Sequence, residues 1–230
     1  MDLTPVNAGP GTQGDHVRMT VIALCYASRD GQTRRIAERI AVTLRARGCA
    51  VDMFDVIALP LARCDVAGYD GVIVASSIRV GKHAPQMLRF VRNHRDALAR
   101  IPNVFLAVSL SAHSAEDPAA DEKRRSRARA AVEKTFVRFV RETGWTPNVV
   151  HPIAGALLYR QYGFLVRAMM RFISGMVGAS TDTSRDHEYT DWAAVDRHAN
   201  ELADRCEAKS GAGSRNRTHD QRFTKPLLYP

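Results

Sequence analysis

Apolar and polar positions alternate along this chain in blocks whose period switches between strand-like and helical. Residues 20–26 form a continuous apolar run, the mark of a strand buried on both faces in a parallel sheet. Residues 32–47 follow with Ile36, Ile40 and Leu44 on one stripe at helical spacing, and Gly48 sits where a helix stop belongs. Further strands are predicted over 50–55, 71–76, 103–109 and 148–158, and helices over 84–99, 121–143 and 189–208. In the long helix 121–143 the expected buried face is Ala131, Phe136, Phe139 and Val140. Five strands alternating with helices imply an α/β domain, a parallel sheet covered on both faces. The regular spacing breaks once. About thirty residues, 159–188, separate the fifth strand from the closing helix, far more than the usual two to six. They read as an insertion.

The ends differ from this body. Residues 1–18 are rich in Gly, Pro, Asn and Thr and read as a flexible leader, while 209–230 are polar and basic and read as a disordered tail. The domain is therefore expected over 19–208. Composition is ordinary for a globular protein, 45% hydrophobic and 25% charged. The net charge of +9 favours anionic partners without choosing among them. The cysteines Cys25, Cys49, Cys64 and Cys206 are widely spaced, so reduced thiols in the cytoplasm are expected, with neither disulfides nor a metal site. No signal peptide and no apolar stretch of membrane-spanning length is read.

The strongest local signal lies between the first strand and first helix: Ser28-Arg29-Asp30-Gly31-Gln32-Thr33. A loop there aims backbone N–H groups and the positive end of the helix dipole at one point. Ser28 and Thr33 add hydroxyls and Gly31 permits a tight turn. The loop lacks the lysine of a triphosphate loop and the glycine spacing of dinucleotide folds, so a lone phosphate fits better. The competing reading is an ordinary helix start capped by Ser28 or Asp30. After the third strand, Ser76, Ser77 and Gly81 offer a polar, close-packed wall with Arg79 and Lys82 supplying positive charge, and after the fourth come Ser109, Ser111 and His113. Ligands in open α/β sheets sit outside the carboxyl ends of the strands, so the three loops should line one crevice. His83 and His113 are expected at its mouth, either as acid–base groups or as solvated loop histidines.

The insertion contains an apolar helix with Phe164, Met169, Met170 and Phe172, on which Arg167, Arg171 and Ser174 form a narrow polar stripe. Such a helix suits a membrane surface, arginines toward the headgroups, or a greasy substrate; the alternative is plain packing on the domain. The basic run 123–129 reads as a solvated face, and without interleaved aromatics no nucleic-acid partner is expected.

The segments YASRDGQTRRIAERIA, YDGVIVASSIRVGKH, IAGALLYRQY and TDT…YTDW resemble the flavodoxin-type, quinone-dependent protoporphyrinogen oxidases, over roughly residues 19–207. The resemblance implies a flavodoxin-like fold, a five-stranded parallel sheet of order 2-1-3-4-5, with FMN in the crevice. It implies oxidation of protoporphyrinogen IX to protoporphyrin IX in haem synthesis, with electrons passed to menaquinone or ubiquinone at the cytoplasmic face of the inner membrane. The family's phosphate loop corresponds to Ser28, Asp30, Gly31, Gln32 and Thr33, and its second flavin loop to Ser76, Ser77, Ile78, Arg79 and Gly81. Ser109 and Ser111 complete the expected flavin contacts. Arg167, Met169, Met170, Arg171 and Phe172 are the expected contacts to substrate or membrane, the guanidinium groups suiting the propionates. A nicotinamide-dependent quinone reductase and a non-catalytic electron carrier stay open as rivals, as does a homo-oligomer.

Overall fold

A computed structural model describes residues 19–58, 65–177 and 179–212; Cys64, the leader and nearly all of the expected tail lie outside it. Strand β1 (Val21–Ala27) is buried almost throughout. It pairs in parallel with β2 (Ala50–Asp55) and β3 (Gly71–Arg79), and β3 continues to β5 (Asn103–Ser109) and β6 (Val149–Ala154), giving the order β2-β1-β3-β5-β6. With the short β4 (Lys82–His83) set aside, this is the expected 2-1-3-4-5 order.

Because side chains alternate across a strand, each strand feeds two cores. Ile22, Leu24 and Tyr26 meet Ile36, Ile40 and Leu44 of α1 (Gln32–Ala46) and Val195, Ala199 and Leu202 of α6 (Trp192–Ala212). Ala23, Cys25 and Ala27 share the opposite core with Met87 and Phe90 of α2 (Pro85–Arg100) and Phe139 of α4 (Glu122–Thr143). At the foot of β3 there is no room for a side chain: a Cβ on Gly71 would stand 2.5 Å from Cys206 Sγ. Cys25, Cys49 and Cys206 are buried.

Four departures from the sequence reading bear on the crevice. The third strand does not stop at Ser76. It runs to Arg79 and folds back through Val80 and Gly81 onto β4 (Lys82–His83), with Arg79 opposite Lys82. Both turn residues have positive φ, 51° and 65°, as a two-residue hairpin whose twist matches its strands requires. The fourth loop is a short helix, α3 (Leu110–Glu116), because the Ser109 hydroxyl accepts the Ala112 N–H and caps it. The buried face of α4 is Ala128, Thr135, Phe139 and Thr143, with Ala131 exposed. The fifth strand breaks at Gly155, and β7 (Ala156–Leu157) pairs antiparallel with β8 (His187–Glu188) to frame the insertion. The inserted helix α5 (Phe164–Val177) packs Met170 with Leu157, Tyr159 and Tyr162 into a third, smaller core.

Candidate functional site

The carboxyl ends of β1, β3 and β5 open into one crevice of about 260 Å³. Arg29, Asp30, Gln32 and Thr33 line it from the first loop, Ser77 to Gly81 from the hairpin, and Val108 to Ser111 from β5 and α3. Thr135 of α4, Gly155 and Ala156 close the side, and Tyr162, Met170 and Ile173 of the insertion cover it.

The start of α1 is shaped for an anion. Gly31, not Ser28 or Asp30, is the N-cap, held at φ 88°, and no side chain caps the helix. The first turn carries no acidic residue. Its outward N–H groups and helix dipole therefore point at the crevice uncompensated. Among the described residues, Ser28 Oγ, Ser77 Oγ and Arg79 Nε are buried without a hydrogen-bond partner. Buried polar groups seldom go unpaired, so a cluster of them beside an uncapped helix start fits a bound phosphate and polar ring system.

The loop is held by charge. Asp30 pairs with the Arg79 guanidinium across the crevice, and Arg29 donates to the His83 carbonyl at 3.0 Å. Burial lowers the Arg29 pKa, and the neighbouring Arg79 lowers it further. Gln32 is spent on the scaffold: its Nε2 donates to Glu188 Oε1 at 2.9 Å and Thr190 Oγ1 at 2.8 Å, and its Oε1 accepts from Arg35. Thr190 in turn donates to the Ala154 carbonyl. The closing YTDW segment thus straps the first loop to β6. Tyr162 Oη accepts the Leu158 N–H, and burial, with Asp30 nearby, pushes its pKa up to about 12.

Several expected residues stand elsewhere. Ser76 is fully buried beneath the crevice, its Oγ 2.9 Å from His83 Nδ1. His83 is neither at the mouth nor solvated. It lies against Phe139, ring centroids 4.8 Å apart, and burial drops its pKa to about 4. His113 does not line the crevice but stacks on Tyr189 at 4.0 Å, half-buried, its pKa lowered chiefly by burial.

The polar stripe of α5 is divided: Ser174 and Arg167 turn toward the domain, and Arg171 stays in solvent. Ser174 is buried, donating to the Met170 carbonyl at 2.7 Å and accepting from Tyr159 Oη at 3.0 Å. Arg167 donates to the carbonyls of Tyr159 and Tyr162. Met170 faces the crevice, whereas Arg171, Met169 and Phe172 are exposed. The sequence reading assigned no role to Arg29, Tyr162, Ile173 or Thr135; Arg29 lies inside the loop motif and Tyr162 at the end of the IAGALLYRQY segment. A separate group, His151, His198 and Glu201, brings its ligand atoms within 4.8 Å of one another between β6 and α6, where His151 Nε2 bonds Glu201.

Residues 23–184 match the family model for the flavodoxin domain. Protoporphyrinogen IX dehydrogenase (quinone) of Escherichia coli strain K12 is 33% identical over 180 residues, covering 78% of this chain and 93% of that one. The Leishmania major protein of the same name is 31% identical over 185 residues, covering 78% and 73%. The rubredoxin oxygen:oxidoreductase of Desulfovibrio gigas shares the fold, with a TM-score of 0.50 at 13% identity over 83% of this chain and 37% of that one. The chain belongs to the flavodoxin-domain family, FMN-binding oxidoreductases, and within it to the protoporphyrinogen IX dehydrogenase (quinone) group.

Proposed function

We propose that this protein oxidises protoporphyrinogen IX to protoporphyrin IX in haem synthesis and delivers the electrons to a membrane quinone, menaquinone or ubiquinone. Beyond kinship, the observation that carries this reading is helix α5. It supplies Met170 and Ile173 to the crevice wall while turning Phe164, Leu165, Met169 and Phe172 outward.

In this reading the α1 N-terminus, Ser28 and Thr33 hold the FMN phosphate, and Ser77 to Gly81 with Ser109 and Ser111 hold the flavin ring. FMN, when bound, supplies two-electron redox chemistry. The chain supplies position and surroundings. Tyr162, Met170 and Ile173 form an apolar wall that suits a flexible macrocycle, since methionine adapts to irregular shapes. The Asp30–Arg79 pair fixes the first loop against the hairpin, so both flavin-holding segments move as one unit.

The outward face of α5 is the proposed membrane contact. Phe164 is 84% exposed, Leu165 80% and Phe172 69%, a contiguous apolar helix face. Arg160 and Arg171 lie exposed in the same insertion, and the chain carries +9, which favours an anionic lipid surface. Among the described residues no helix is long and apolar enough to cross a membrane. The arrangement is therefore peripheral, a helix lying in the interface.

The test is anaerobic oxidation of protoporphyrinogen IX by FMN-loaded protein with menadione, read by porphyrin fluorescence. Removing six electrons should consume three quinones per porphyrin formed. Quinone reduction by NADH or NADPH without porphyrinogen oxidation would instead mark a nicotinamide-dependent quinone reductase. A protein that turns over neither is a carrier.

A further inference from the structure

If the apolar wall receives the macrocycle, its carboxylate arms need cations, and the arginines of α5 do not supply them at the crevice. Arg167 is committed to two backbone carbonyls and Arg171 faces outward. A second cavity, about 350 Å³, adjoins the crevice, and Ser111 and Ala131 line both. Its walls carry Lys123, Arg124 and Arg127 with the Ser111 and Ser114 hydroxyls, against one carboxylate, Asp121.

The charges on this stretch of α4 are divided by function. Arg125 and Arg129 are paired with Glu122, and Arg125 also donates to the Ala120 carbonyl. Those two belong to the helix surface. Asp121 is engaged as the helix N-cap, accepting the Arg124 N–H at 2.7 Å. The three remaining cations converge on the cavity. Lys123 and Arg127 are exposed and Arg124 is half-buried, and such an excess of positive charge on a concave wall attracts an anion to share it.

We propose that Lys123, Arg124 and Arg127 form the subsite for the carboxylate arms of the substrate, resting on the porphyrinogen reading above. The macrocycle lies on Met170, Ile173 and Tyr162, and its propionates reach past Ser111 to the cations. Guanidinium groups hold carboxylates by two parallel hydrogen bonds, which orients the ring as well as binding it. The run 123–129, read from sequence as a solvated face, is thereby split between surface and site.

The experiment compares FMN-loaded wild type with the Arg124→Gln, Arg127→Gln variant on protoporphyrinogen IX and on its uncharged dimethyl ester, in one detergent. The preference for diacid over ester, as the ratio of kcat/KM values, should fall on the order of tenfold, mainly through KM. Arg124→Lys with Arg127→Lys should keep an intermediate preference, since the charge remains while the paired hydrogen bonds are lost, which separates charge from folding. An unchanged ratio in the Gln variant overturns the subsite. So does a Gln variant that keeps its ratio but no longer binds phosphatidylglycerol vesicles, which would assign the cations to lipid. Wild-type protein that oxidises neither porphyrinogen overturns the reaction itself, and the subsite with it.

Discussion

Deleting one buried oxygen should move the flavin-free and flavin-bound forms in opposite directions. Ser28 Oγ is buried beside the crevice with no hydrogen-bond partner among the described residues. An unpaired buried hydroxyl costs ~1–3 kcal/mol, and alanine removes that cost with little change in shape. The neighbouring crevice, about 260 Å³, is large enough to admit water, which lowers the expected gain to ~0.5–1 kcal/mol. For a chain of this length that is a rise of ~1–4 °C in Tm. Toward FMN, in the proposed placement of its phosphate, the same substitution deletes a hydrogen bond to a charged group, worth ~1.5–3 kcal/mol, or ~10–150-fold in Kd. Stabilisation by ligand follows RT ln(1 + [L]/Kd), so the FMN-induced rise in Tm should shrink at fixed flavin concentration. Thermal melts of apoprotein and holoprotein, with a fluorescence titration of apoprotein by FMN, read all three quantities. An apoprotein that melts lower refutes the reasoning, because Ser28 Oγ would then be a structural bond. An unchanged Kd refutes the placement of the phosphate.

Three further outcomes are expected. Gly71→Ala should cost ~1–3 kcal/mol, since its Cβ would meet Cys206 Sγ at 2.5 Å with Leu202 Cδ1 at 3.4 Å. Adding Cys206→Ala should recover part of the loss, and strict additivity in urea melts would show that the two do not touch. Burial holds the His83 pKa at about 4, below its ordinary 6.5, so the unfolded chain binds a proton that the folded chain refuses. Stability from this group is complete above pH 6.5 and lost as pH falls toward 4, by up to about 3 kcal/mol. His83→Gln should flatten that slope in urea melts at pH 7 and 4.5, and an equally steep variant refutes it. Phe164→Glu with Phe172→Glu should abolish sedimentation with anionic vesicles while stability shifts by no more than ~0.5 kcal/mol per site. A large fall in Tm would mean the face is packed, not free.

The parallel sheet was legible because strands buried on both faces read as unbroken apolar runs. The bounds of β2 and β5 coincide with the sequence reading. The hairpin after Ser76 was not legible. Its turn is Val80-Gly81, and a valine at positive φ gives none of the Asn-Gly signal that marks such turns. The face of α4 was read in part: Phe139 is buried and Phe136 packs on the core, but Ala131 is exposed and two buried positions are threonines. Thr135 Oγ1 donates to the Ala131 carbonyl at 2.8 Å and Thr143 Oγ1 to the Phe139 carbonyl at 2.7 Å. Hydroxyls satisfied within their own helix can be buried cheaply, and a count of apolar residues places them outside. At the site, the three-loop convergence follows from topology alone. The burial of Ser76 and His83 does not, since it depends on a strand continuing where the pattern had ended.

Helix α5 shows why an amphipathic pattern does not say which face packs. Two members of its polar stripe, Arg167 and Ser174, lie inward, where backbone and hydroxyl partners meet them, while Arg171 is exposed. The Tyr159 and Tyr162 carbonyls take the Arg167 guanidinium, and Ser174 closes a bond with Tyr159 Oη. An unpaired buried carbonyl costs ~1–3 kcal/mol, so drawing Arg167 and Ser174 inward offsets a loss that apolar side chains could not. The consequence is that Phe164, Leu165 and Phe172 stand in solvent, each forgoing the ~1.5–3 kcal/mol that full burial would contribute. A contiguous apolar face of this kind marks a surface that another phase or partner covers. The proposed lipid contact would cover it without demanding shape complementarity, and Met170 and Ile173 on the same helix wall the crevice. In the proposed membrane contact, the helix that lies on lipid is the same one that walls the crevice, which is where a quinone dissolved in lipid would be met.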